Sequence, residues 1–390
     1  MTSTCVLPVN GENSSRRPSQ QHMIEIQEGM QGLALLGMLF LVPGAWLQAC
    51  QNPQLMSRTL TCPRCFFSGP VSADLRFCPR CGLAGVTEAA DTSALDVAVN
   101  GRTYRVMDRI AIGSVCSIYR CEFPADVPGS QVVQGIFKIA RDARSNALVA
   151  NEAAVLRQLQ AADPEGRFTR FMPKVQASLG FCDDAKSPAR QANILRMHEE
   201  IRSTDELYSL ADVRGVYPAG LDPRHVAWIW RRLLSVLGFA HTHGIVHAAV
   251  LPMHVLLEPS GHKLVLIDWC CAARVADRRP VTVISAGHSA WFGRSALRQP
   301  PTPMLDVALG VRCMIYLLGG DAVRAEFPPG TEPALVRYFR RCLGLVSDGS
   351  SDTPSPVASD AWKLLEDFDK VIEALWGPRQ FQVLTMPPRQ

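Results

Sequence analysis

The feature that most constrains this chain is a change of hydrophobic period near Ser145. Before it, residues 103–110, 115–122 and 132–140 are short β-favouring runs with Gly or Pro between them. After it, Leu148, Glu152, Val155, Leu156 and Leu159 follow a helical spacing. Residues 226–241 carry Trp228, Trp230, Leu233, Leu234, Leu237 and Phe239 beside Arg231 and Arg232. Residues 306–318 are almost wholly apolar, as a helix buried on all sides is. The last amphipathic run, 361–376, meets a stop signal at Gly377-Pro378. The pattern predicts an α+β domain over 100–386, a strand-rich lobe followed by a helical one. No internal repeat interrupts it.

The 390 residues leave room for that domain and a small accessory module. With 47% hydrophobic and 19% charged residues, the composition is that of a soluble globular protein. A net charge of +4 is too small to argue for nucleic acid, which is not expected as a partner, or for an acidic membrane surface. The 13 cysteines do not read as a disulfide framework. Four sit in two C-x-x-C knuckles, and most others stand singly in apolar segments, where Cys behaves as a small hydrophobe. An odd total spread in this way fits a reducing, cytoplasmic compartment.

Residues 1–57 comprise a polar, disordered leader and an apolar run, 32–47. That run is shorter than the roughly 20 residues a membrane helix needs, and Pro43 and Gly44 interrupt it, yet no charge occurs between Gly29 and Ser57. A membrane anchor, an interfacial hairpin and dispensable leader sequence all remain open. In the module at 58–85, Cys62-Pro63-Arg64-Cys65 lies 12 residues before Cys78-Pro79-Arg80-Cys81. Two such turns complete a tetrahedral four-sulfur site suited to zinc, or to iron, and metal supplies the folding energy that so short a module lacks. The module resembles the zinc ribbons at the ends of many bacterial proteins. Residues 86–99 read as a small-residue linker.

The remaining motifs come in a specific order. Ala111-Ile112-Gly113-Ser114-Val115-Cys116-Ser117-Ile118-Tyr119 is a strand-turn-strand with one glycine. Ile136-Phe137-Lys138 puts a cation in an apolar strand, which is costly unless paired. Glu152 follows on the next helix. Leu195-Arg196-Met197 comes next, then Val246-His247-Ala248-Ala249-Val250-Leu251-Pro252-Met253-His254-Val255-Leu256-Leu257, then Leu264-Val265-Leu266-Ile267 running into Asp268-Trp269-Cys270, and finally Asp306. This series resembles the motifs of the protein kinase family, and more narrowly a bacterial group of kinase-like proteins with an H-x-A-V-L-P-x-H loop.

The resemblance implies roles and also losses. Gly113 is the one glycine left in the phosphate loop, with Ala111 and Cys116 where glycines stand. Lys138 and Glu152 match the ion pair that holds nucleotide phosphates, Met197 the hinge beside adenine, and Asp268 the metal-binding Asp. Asp306 matches the brace beneath the catalytic loop, and His247 the loop histidine. Ala249 replaces the catalytic Asp, Leu251 the loop Lys, and His254 the metal-binding Asn. The segment after Asp268 carries Arg274, Arg278, Arg279, Arg294 and Arg298 but no A-P-E. A missing general base costs roughly 10²–10⁴ in rate. The expectation is a kinase-fold regulatory or scaffolding protein, a pseudokinase in signalling with a protein partner. It keeps ATP as a candidate ligand, with Mg or Mn through Asp268 and His254, and structural zinc on Cys62, Cys65, Cys78 and Cys81. An atypical active serine/threonine-type kinase, and an interaction protein working through its zinc ribbon, are the alternatives.

Overall fold

In a computed structural model the described residues are 57–61, 68–72, 95–125, 132–182, 188–201, 203–282, 289–292, 298–344 and 360–388. They belong to two compact units, one within Pro8–Asp91 and one within Thr92–Gln390. In the first, β1 (Ser57–Thr61) pairs antiparallel with β2 (Ser68–Ser72), Ser57 opposite Ser72. The knuckle cysteines Cys62, Cys65, Cys78 and Cys81 lie outside the described residues, as do the leader and the 32–47 run. Among the described residues no helix is long and apolar enough to cross a membrane.

The second unit begins with a six-stranded antiparallel sheet. Its strands are β3 (Leu95–Val99), β4 (Arg102–Ile112), β5 (Cys116–Phe123), β6 (Val133–Ala140), β7 (Lys174–Phe181) and β8 (Arg190–Arg196), in the order β3-β4-β5-β6-β8-β7. The first strand corrects the linker expected over 86–99. Val97 and Val99 alternate with Asp96 and Ala98 and turn inward, so the sheet takes up residues 95–99. Asn100 and Gly101 then turn the chain with φ of 51° and 76°, the left-handed pair that a two-residue hairpin requires.

Helix α1 (Asn146–Ala162) packs on β7 and β8 and buries Val149, Ala153, Val155, Leu156 and Leu159. The chain then enters a helical lobe of α2 (Leu210–Val216), α3 (Pro223–Thr242), α4 (Pro303–Leu318), α5 (Pro333–Cys342) and α6 (Ala361–Trp376). Helix α3 touches both α4 and α6 and supplies the centre of the core with Trp230, Leu233, Leu234 and Leu237. Between α3 and α4 lie short strands that carry the site. They are β10 (Ile245–Val246), β11 (Val255–Glu258), β12 (Lys263–Leu266) and β13 (Ala273–Arg274); β11 also pairs with β9 (Tyr208–Ser209).

Candidate functional site

The site is built around one buried cation. Lys138 points inward from β6 and is 5% exposed. Its Nζ donates to Glu152 Oε1 at 2.8 Å and to Asp268 Oδ1 at 2.7 Å. Burial alone would lower the ammonium's pKa; the carboxylates of Asp268 and Glu152 outweigh it and hold the group well above its ordinary range. Glu152 is fully buried on α1 and is held from three sides. Lys138 and the Trp269 backbone N–H, at 3.2 Å, reach Oε1, and Asn193 Nδ2 reaches Oε2 at 3.2 Å.

Asp268 ends the apolar run of β12 in the left-handed region, φ 63° and ψ 60°. Trp269 then turns back into the core, fully buried, with Nε1 on the Leu266 carbonyl at 2.9 Å. Its ring meets that of His247 edge-on at 4.6 Å. The second Asp268 oxygen faces His254, whose Nε2 is 3.1 Å from Oδ2. Nδ1 of the same ring lies 2.7 Å from the Ala249 carbonyl. Both ring nitrogens therefore point at acceptors. Burial would raise the Asp268 carboxyl; Lys138 and His254 instead hold it well below the usual carboxylate range.

The loop between β10 and β11 is braced from below. Asp306, at the start of α4 and fully buried, accepts from the His247 and Ala248 backbone N–H groups, both at 2.7 Å, and faces His241 Nε2 at 2.9 Å. This holds Ala248 at φ 59°, a left-handed conformation unusual for alanine. His247 is buried, with Nε2 donating to the Ile267 carbonyl at 3.0 Å. Ala249 and Leu251 are buried and offer no polar side-chain atom to an acceptor substrate.

Gly113 lies in the β4–β5 turn, its N–H on the Cys116 carbonyl at 2.8 Å. A Cβ there would make only an ordinary contact, 3.6 Å from that oxygen, so the turn does not require glycine. Val115 and Cys116 fold inward onto Ala140, Val149 and Cys270. The neighbouring Cys116 thiol and burial push the Cys270 thiol well above its ordinary range. Met197 follows β8 directly and packs, half-buried, on the core. The structure thus gathers Lys138, Glu152, Asp268 and His254, and sets Gly113 and Met197 on the turn and the connection at its edges.

Three supporting roles escaped the sequence reading. Asn193 braces Glu152 and also holds the Val149 carbonyl at 2.7 Å; its signal was a lone amide in the apolar strand 192–195. Asn151 holds the carbonyls of Cys270 at 3.2 Å and Ala272 at 2.8 Å. Cys270 joins Glu152 and Asp268 in a cluster whose ligand atoms all lie within 4.8 Å of one another. Nothing in the spacing marks these two.

No family model matches the sequence. Over 86 residues it is 34% identical to casein kinase II subunit alpha' of Saccharomyces cerevisiae, a match covering 22% of this chain and about a fifth (21%) of that protein's length. The solved structure of vaccinia related kinase 3 superposes with a TM-score of 0.52 at 16% identity, covering 74% of this chain and 92% of the other. At that identity the likeness defines the fold, and the fold is the two-lobed protein kinase-like one.

Proposed function

We propose that this chain is a pseudokinase, a regulatory or scaffolding protein that binds nucleotide through Lys138 and does not transfer its phosphoryl group. One observation carries the reading: both oxygens of Asp268 are engaged, one by Lys138 and one by His254. The Lys138–Glu152 pair is formed and suits a nucleotide phosphate. The residues fit a magnesium clamp poorly. Magnesium takes oxygen ligands in octahedral geometry, whereas here an imidazole stands against the carboxylate. The acceptor side fares worse, since Ala249 cannot orient or deprotonate a hydroxyl and Leu251 cannot stabilise the transferring group. A scaffold needs neither, and the intact Asp306 brace keeps the loop's shape without its chemistry. Binding to a protein partner then depends on the lobes' arrangement rather than on turnover.

Saturating ATP is expected to raise the melting temperature by mass action, and Lys138→Ala is expected to abolish the rise. An undiminished shift in that variant would mean that the phosphates bind elsewhere.

A further inference from the structure

Three positions of this cleft carry side chains that a magnesium-nucleotide site does not call for: His254, Cys270 and Cys116. From their placement we infer that the cleft floor binds a thiophilic divalent cation of the zinc type, ligated by Glu152, Asp268 and Cys270 and completed by His254. The ligand atoms of Glu152, Asp268 and Cys270 lie within 4.8 Å of one another. Tetrahedral zinc, with bonds of about 2.0–2.3 Å, sets its ligand atoms roughly 3.3–3.8 Å apart, so a closure of about one ångström brings these three to coordinating distance. His254 Nε2 is already 3.1 Å from Asp268 Oδ2. One sulfur, one nitrogen and two carboxylates form a borderline-soft set, which suits zinc and not magnesium.

The position is at present that of the Lys138 ammonium, bonded to both carboxylates. A divalent ion takes the ammonium's place and the Cys270 thiol gives up its proton, so a gain of two charges is offset by the departure of two single ones. The buried charge is unchanged, which removes the main objection to burying a dication. Lys138 has a flexible four-carbon stem on which to swing aside. Asp268, whose side chain is 27% exposed, marks the way in. The outer contacts are in place before the ion arrives. Asn193 holds Glu152, Asn151 holds the Cys270 backbone, and Cys116 packs in the same cluster as Cys270.

The test is a metal count on the full chain, stripped of metal and dialysed against buffered Zn²⁺. Wild type is expected to hold one equivalent more than Cys270→Ala and one more than Asp268→Asn. The knuckle cysteines are common to all three and cancel in the difference. Lys138→Met removes the competing cation and is expected to keep the extra equivalent and tighten it at least severalfold. With Co²⁺, the thiolate-to-metal absorption of wild type is expected to exceed that of Cys270→Ala. Equal counts in folded wild type and Cys270→Ala, or loss of the equivalent in Lys138→Met, overturn the inference. Should Cys270→Ala not fold, Cys270→Ser preserves the volume and gives the same comparison. No nucleotide enters the assay, so its outcome and that of the ATP melting experiment stand independently.

Discussion

His247, in the loop after β10, serves structure. Burial pushes its imidazole down from the ordinary 6.5 to about 4, despite the opposing pull of Asp306. The ring is therefore neutral in the folded protein near neutrality. Nε2 donates to Ile267, and Nδ1 accepts the Ala249 backbone N–H at 3.3 Å. Between pH 6.5 and 4 the unfolded chain binds this proton and the folded chain does not. The stability that His247 contributes is thus present above pH 6.5 and lost as pH falls towards 4, a contribution on the order of 3 kcal/mol. The melting temperature of wild type is expected to fall across that window, and His247→Gln is expected to flatten the fall. An identical pH profile in the variant would show that other groups carry it.

At the scale of elements, local pattern specified most of the fold. The stop at Gly377 was legible because an amphipathic run met a Gly-Pro pair, and the helix ends at Trp376 with Gly377 at φ 71°. The Lys138–Glu152 pair was legible only through the motif order of the resemblance, since the two residues alone fit an edge-strand Lys and a solvated Glu equally. Strand β3 was hidden by the small residues at 86–94 that precede it, although Asn100-Gly101 is itself a hairpin signal. The His254–Asp268 contact was not legible, since no periodicity relates a loop residue to a strand end fourteen positions on. Close helix approach is similarly hidden. Gly310 lets α4 lie against α3, and a Cβ there would sit 2.8 Å from the Trp230 ring, which is fully buried and cannot yield. Gly310→Ala is accordingly expected to cost about 1–3 kcal/mol in denaturant melts, although alanine is the better helix former by about 1 kcal/mol. A stabilised variant would mean that the two helices move apart at little cost.

For the whole molecule, the division near Thr92 separates two units: the second holds an apolar core, and the first carries the knuckle cysteines from which a metal site is expected. Cys78→Ser is expected to remove one Zn or Fe from the purified protein and to leave the main thermal transition of the kinase-like domain in place. A protein that holds no metal before mutation would end the ribbon assignment. In the kinase-like unit Lys138, Glu152 and Asp268 are joined and Asp306 braces the loop, in which Ala249 and Leu251 carry no polar side-chain atom. The most direct measurement is phosphate incorporation from labelled ATP into the protein itself and a generic acceptor, with Mg²⁺ or Mn²⁺ present. The account predicts no incorporation above that of an Asp268→Ala control; robust autophosphorylation by the unmodified protein, abolished by Asp268→Ala, would contradict it.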